Sequence, residues 1–220
     1  MVQMNWRFNK LEENKNSNYV DVLIKEYPKS EQHPNGGLMS QHVHSLTPGA
    51  LLNVWGPRGK IQYHGKGKFV LREDKETGDF TETKSTAHIA MLAGGTGLAP
   101  MLQVIRAVLG DKNDTTKVTL IFANRAEHDI LCREELDELA KDARFELIYC
   151  LSRPDDDNWS GEKGHIDAAM VTKHFPSPSS EVFVLICGSP KMVDESYLPA
   201  LSDYESVFTY WSYSNAVNEA

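Results

Sequence analysis

Along the first third of the chain, apolar residues come in short runs that do not settle into a helical period. Residues 1–18 are polar and rich in Asn, Lys and Glu, and read as a loop or frayed end. Tyr19–Tyr27 (YVDVLIKEY) is β-branched and aromatic and predicts a strand. Leu38–Leu46, behind Gly36 and Gly37, reads as a short helix. Leu51–Trp55 reads as a strand stopped by Gly56-Pro57-Arg58-Gly59. Ile61–Arg72 gives one or two more strands, and Glu73–Ser85 reads as a charged surface loop. Three or four strands leave edges unpaired and bury little, so this portion reads as a piece of a larger β structure.

From His88 the pattern changes to strand and helix in alternation. Strands are predicted at 89–93, 118–123, 145–151, 182–187 and 207–210, and helices at 100–109, 128–143, 167–174 and 191–201. Alternation of this kind predicts an α/β fold, a parallel five-stranded doubly wound sheet covered on both faces. Ligands of such sheets sit beyond the carboxyl ends of the strands, at the switch point. The strand ends here read Gly94–Gly97, Asn124-Arg125, Ser152-Arg153 and Cys187-Gly188-Ser189-Pro190. The domain organisation expected is 1–85, 86–210 and a tail, 211–220.

The most informative stretch is HIAMLAGGTGLAPMLQVIRAVL, His88–Leu109. An uncharged strand runs into Gly94, Gly95 and Gly97, and then into a helix with Pro100 as an early residue and Met101 on its core face. A strand, glycine turn and helix in that order aim unpaired N–H groups and a positive dipole end at the turn, where a phosphate is stabilised. A glycine corner that binds nothing has the same signature.

Composition narrows the classes. Lys and Arg number 23 against 31 Asp and Glu, a net charge of −8, which disfavours non-specific nucleic-acid binding. No run is long and apolar enough to span a bilayer, and no signal-peptide core is present. Cys132, Cys150 and Cys187 are widely spaced and odd in number, suggesting a reducing, cytosol-facing compartment rather than a disulfide framework or a zinc site. No metal site is expected: the histidines lack ligand spacing, His42 and His44 read as exposed, and Asp155-Asp156-Asp157 reads as a solvated loop.

Four stretches taken together resemble the NADH–cytochrome b5 reductase family of the ferredoxin-reductase superfamily. They are Gly36-Gly37-Leu38-Met39-Ser40; Gly94-Gly95-Thr96-Gly97-Leu98-Ala99-Pro100-Met101; Phe122-Ala123-Asn124 with Asp129-Ile130-Leu131; and Cys187-Gly188-Ser189-Pro190-Lys191-Met192. The resemblance runs from about Tyr19 to Tyr210, in order and in spacing. It implies part of an antiparallel FAD-binding β-barrel followed by an NAD(P)H-binding α/β domain that brings nicotinamide against the isoalloxazine.

On that pattern Lys25 and Tyr27 lie along FAD. The Gly36–Ser40 turn, with Leu38 and Met39, gives backbone N–H groups and the Ser40 hydroxyl to the FAD pyrophosphate. Gly95, Thr96, Gly97 and Pro100 admit the NADH backbone, and Ser152 and Arg153 meet its adenosine end. Cys187 packs beside the reacting nicotinamide carbon, with Gly188, Ser189, Pro190 and Met192 around it. The implied activity passes electrons from NADH through FAD to a one-electron acceptor, cytochrome b5 or another heme protein, at the cytoplasmic face. A flavin module of a larger reductase such as nitrate reductase is an alternative, as is a nucleotide-binding module without turnover.

Departures from the family pattern carry their own expectations. Trp6-Arg7-Phe8-Asn9 stands where an Arg-x-Tyr-Ser/Thr strand is expected, and about half the barrel upstream has no counterpart. The chain therefore reads as N-terminally truncated and as a weak FAD binder, with any membrane anchor lying in a segment absent here. Ala99 replaces a Thr near the flavin. Leu38 replaces a Lys on the face that docks an acidic cytochrome, while Lys60, Lys66 and Lys68 form a basic run nearby. Ser152-Arg153 replaces Asp-Arg. Losing that carboxylate removes repulsion of a 2′-phosphate, so NADPH is expected beside NADH.

Overall fold

In the computed structural model, which describes residues 3–9, 19–31, 34–53, 61–72, 80–156, 158–204 and 207–209, the chain divides into two compact units, residues 1–57 and 58–220. The polar opening stretch forms a strand rather than a loop. β1 (Gln3–Asn9) pairs antiparallel with β2 (Tyr19–Lys25), from Gln3 opposite Lys25 to Asn9 opposite Tyr19. Met4, Trp6 and Phe8 alternate with polar residues, a period of two that the Asn- and Lys-rich composition conceals. α1 (Leu38–Ser45) follows and buries Ser40 and Val43. Leu51–Asn53 forms no strand and Leu51 is 95% exposed, against expectation; Val54–Lys60 lie outside the described residues.

The second unit opens with an antiparallel sheet of β3 (Ile61–Tyr63), β4 (Lys68–Arg72) and β5 (Phe80–Ser85). β5 falls within the span expected to be a charged loop. Its sequence, Phe-Thr-Glu-Thr-Lys-Ser, is that of a polar edge strand, and pairing with β4 (Val70 opposite Thr83) decides its state. This sheet packs on the α/β half: the Phe69 ring stacks on Phe183 at 4.6 Å, and the Tyr63 hydroxyl donates to Asp114 Oδ2 at 2.5 Å. The structural division therefore falls earlier in the chain than the change of pattern near residue 85.

The α/β half comprises β6 (His88–Gly94), α2 (Leu98–Gly110), β7 (Lys117–Asn124), α3 (Arg133–Leu139), β8 (Phe145–Leu151), β9 (Glu162–Lys163), α4 (Ala168–His174), β10 (Val182–Cys187), α5 (Pro190–Met192), α6 (Leu198–Ala200) and β11 (Val207–Thr209). The five expected strands are present and parallel, and the two-residue β9 joins the edge to make six, in the order β11-β10-β6-β7-β8-β9. The chain builds outward from β6 to β9, then returns to lay β10 on the other side of β6. That reversal is the switch point.

Alternate strand residues face opposite layers. Ala90, Leu92, Ile121, Ile148, Val184 and Ile186 pack with Met170 and Val171 of α4 and with Val193, Tyr197 and Ala200. On α2, Met101, Leu102, Ile105 and Val108 are buried. Strands buried on both faces explain the unbroken apolar runs in β6, β7 and β10.

Two helices differ from expectation. α3 is shorter than 128–143, because a turn at Glu127–Asp129 and a positive φ of 52° at Cys132 delay its start. The helix expected at 191–201 runs from Pro190 to Ala200 but contains a π turn, Val193–Tyr197. Asp157, Tyr210 and the tail at 211–220 lie outside the described residues.

Candidate functional site

β6 and β10 lie side by side with Ala93 opposite Cys187, so the loops that follow them start together. A β-carbon on Gly97 would stand 2.2 Å from the Cys187 carbonyl oxygen and 2.6 Å from its carbonyl carbon. No side chain fits there, and the two loops touch backbone to backbone. A β-carbon on Gly94 would strike the Met192 side chain, at 2.5 Å from Cε. Gly95 is different: its φ is +52° and nothing lies within 4 Å of the added carbon. The turn is therefore closed on the β10 side and open above Gly95.

Gly95–Gly97 form a single 3-10 turn and α2 begins at Leu98, two residues before the expected start. Pro100 is third in the helix, where its missing N–H costs nothing. No side chain caps α2. Its first-turn amides and dipole thus adjoin the open cradle, and Thr96 and Pro100 are half-buried beside it. Met101 is fully buried, a core residue.

At the β10 tip, Cys187 is half-buried, and burial pushes its thiol up to about 11. It is a neutral thiol at physiological pH, suited to packing rather than attack. Ser189 Oγ accepts the Met192 N–H at 3.3 Å and caps the short α5, with Pro190 as its first residue. The π turn then carries Tyr197 beneath the glycines. Its hydroxyl would lie 2.8 Å from a β-carbon on Gly94 and 3.5 Å from one on Gly188.

Tyr197 is 1% exposed, and burial, with Cys150 and Cys187 nearby, drives its pKa far above the usual phenol value. Its Oη and the Asn124 Nδ2 at the end of β7 are buried without a hydrogen-bond partner among the described residues. Orphaned polar atoms are rare in folded proteins. Both of these belong to residues at the carboxyl edge of the sheet. The sequence reading missed Tyr197, because a helical period of 3.6 does not anticipate a π turn.

The β7 and β8 ends extend the same edge. Ser152 N–H donates to Asn124 O at 3.1 Å and Arg153 N–H to Arg125 O at 2.7 Å, with both arginines exposed. Arg125 was visible as a strand-end residue but went unassigned.

The first unit gathers its own expected residues. Gly36 has a φ of +59°, and a β-carbon there would lie 2.7 Å from Tyr27 O. Gly37 N–H donates to that same carbonyl at 2.8 Å. Ser40 Oγ donates to Gly37 O at 2.9 Å and accepts the Tyr27 N–H at 3.1 Å, so its hydroxyl is spent locking the turn. Backbone amides of α1 are left for an anion: Gly37 supplies no side-chain cap, and Leu38 and Met39 are 75% and 67% exposed. The Lys25 ammonium sits 5.8 Å over the half-exposed Tyr27 ring. Lys25, Tyr27 and the 36–40 turn are thus one cluster.

These arrangements fit the two ligand types separately. An open glycine cradle, an uncapped helix start and two orphaned buried atoms suit a dinucleotide; the α1 turn suits a pyrophosphate. Among the described residues, no group of His, Cys, Asp and Glu could hold a metal ion, and no helix is long and apolar enough to cross a membrane.

Residues 3–63 match the family model described as an oxidoreductase FAD-binding domain, and residues 91–196 match the one described as an oxidoreductase NAD-binding domain. The chain is 39% identical over 202 residues to NADH-cytochrome b5 reductase 2 of Homo sapiens, covering 87% of this chain and 71% of that protein. It is 41% identical to NADH-cytochrome b5 reductase 2 of Danio rerio and 46% identical to that of Xenopus laevis, over 87% and 80% of this chain. It spans only 64% and 60% of those two relatives' lengths. Among solved structures, the cytochrome b5 reductase domain of Ulva prolifera nitrate reductase superposes with a TM-score of 0.79 at 30% identity, over 88% of this chain and 74% of that one.

Proposed function

The chain belongs to the NADH–cytochrome b5 reductase family, and from that premise we propose that it is a flavin-dependent reductase passing electrons from NADH through FAD to a one-electron acceptor, cytochrome b5 or another heme protein. The observation that carries this reading is the contact of the Gly97 turn with the Cys187 carbonyl. It sets a phosphate-admitting cradle and a small neutral thiol side by side at one switch point.

Each group of residues then has a part. Lys25, Tyr27 and the Gly36–Ser40 turn hold FAD, the pyrophosphate resting on α1 amides and Leu38 and Met39 lying along it. Gly95, Thr96, Gly97 and Pro100 take the pyrophosphate of NADH, and Ser152 and Arg153 its adenosine end. Cys187 and Gly188 leave room for a flat nicotinamide ring, while Ser189, Pro190 and Met192 hold that loop in shape. A bound flavin supplies the conversion from two-electron to one-electron transfer. No acid–base pair is required, which agrees with a Cys187 thiol that stays protonated. The acceptor meets the chain at the cytoplasmic face.

The test is NADH-dependent ferricyanide reduction by the purified chain with excess FAD. Turnover that needs both FAD and NADH supports the reading; NADH binding without reduction would make the chain a nucleotide-binding module. A second reading, the flavin module of a larger reductase, is favoured by the similarity to a nitrate reductase domain. The mass of the native gene product separates the two.

A further inference from the structure

We propose that the carboxyl ends of β7 and β8 form a subsite for the 2′-phosphate of an adenosine, so that the chain takes NADPH as well as NADH. The inference rests on the dinucleotide reading above and adds its specificity.

β7 and β8 are paired up to Asn124 opposite Leu151, and the ladder continues past both strand ends through Ser152 and Arg153. Arg153 N–H donates to Arg125 O at 2.7 Å, so the two arginines leave neighbouring strands at the same level. Strands are about 4.8 Å apart, a separation at which two guanidinium groups can share one phosphate.

The carboxylates of the two loops are engaged elsewhere. Glu127 pairs with Arg133, and Asp129 Oδ2 accepts the Ala126 N–H at 3.3 Å. Asp155 pairs with His128 at 3.1 Å, which also ties the loops together, and Asp156 Oδ1 accepts two Asn158 N–H groups at 2.8 and 3.0 Å. Among the described residues neither Arg125 nor Arg153 forms an ion pair. On a chain of net charge −8, two adjacent exposed arginines left uncompensated form a local site for an external dianion.

Placement says which dianion. When a pyrophosphate rests on the turn after one strand of a βαβ unit, the adenosine ribose lies over the end of the next strand. A carboxylate there selects a free 2′-hydroxyl, whereas an arginine takes a 2′-phosphate. Here β6 carries the turn, and the ends of β7 and β8 present Arg125, Ser152 and Arg153.

Calorimetric titration of the full chain with 2′,5′-ADP and with 5′-AMP tests the subsite without turnover. The expected result is 2′,5′-ADP binding at least about tenfold tighter, equivalent to about 1.4 kcal/mol, with the preference shrinking as salt rises. Arg125→Ala and Arg153→Ala each bring the affinity ratio toward one, Arg153→Lys keeps part of it, and Ser152→Asp takes it below one. If 5′-AMP binds and 2′,5′-ADP binds no tighter, the subsite is overturned while the dinucleotide reading stands. Binding of neither ligand overturns both.

Discussion

The Cys187 carbonyl oxygen lies 2.2 Å from where a β-carbon on Gly97 would be, so the turn after β6 and the end of β10 are in direct backbone contact. Gly97→Ala forces them apart. Overpacking of this kind costs about 1–3 kcal/mol, and the displaced Cys187 backbone should lower NADH-dependent turnover as well. Gly95→Ala is the contrasting variant. Its β-carbon meets nothing within 4 Å, but its φ of +52° penalises a side chain by about 1–2 kcal/mol. The new methyl would stand in the cradle, so KM for NADH should rise. Denaturant unfolding and steady-state kinetics on both variants check the pair.

Cys187 should behave as a hindered, neutral thiol. With burial holding it near 11, iodoacetamide labelling should be negligible at pH 7 and climb only above pH 10. A labelling rate that levels off below pH 9 would contradict this.

The same sign governs alkaline stability. Burial raises Tyr63 to about 12, assisted by its bond to Asp114, and raises Cys150 to about 12. Groups whose pKa is higher in the folded state contribute their stabilisation fully below their unfolded values, about 8.5 for Cys and about 10 for Tyr. That stabilisation is lost as pH rises toward the folded values. The melting temperature should therefore be insensitive to these groups up to pH 8 and fall between pH 9 and 12. Tyr63→Phe and Cys150→Ala should each flatten part of that fall.

Arg144 secures the end of α2. Its guanidinium donates to the carbonyls of Val108, Leu109, Asp111 and Asp114 at 2.6–3.1 Å, and to Asp142 Oδ2 at 2.7 Å. Those bonds with Arg144 hold the Asp142 carboxyl at about 2. Arg144→Ala should cost about 2–4 kcal/mol in urea unfolding, since several charge-assisted bonds go at once. Arg144→Lys should recover only part, because one ammonium cannot span the same fork.

Tyr197→Phe removes a hydroxyl that is buried without a partner. An unsatisfied group of that kind costs about 1–3 kcal/mol, so the free chain should become more stable by about 1 kcal/mol. Loss of stability would mean that the hydroxyl is already satisfied in solution.

Much of this was legible in the chain itself. Ile89–Ala93, Val118–Ala123 and Val182–Ile186 are uncharged runs, and only a strand buried on both faces needs such a run; the parallel sheet followed from their alternation with helical stretches. The glycines at 94, 95 and 97 and the Cys187–Pro190 run marked the tips, because a missing side chain is a sequence fact with a geometric meaning. Gln3–Asn9 and Phe80–Ser85 could not be read the same way. Polar strands are held by their partners' hydrogen bonds, and those partners are remote or carry no sequence mark. Nor does the sequence reveal that Gly97 abuts Cys187, that a π turn carries Tyr197 under Gly94, or that Arg125 stands level with Arg153. Periodicity reports which face of an element is buried, and neighbours across a sheet are decided only when strands far apart in the chain find their register.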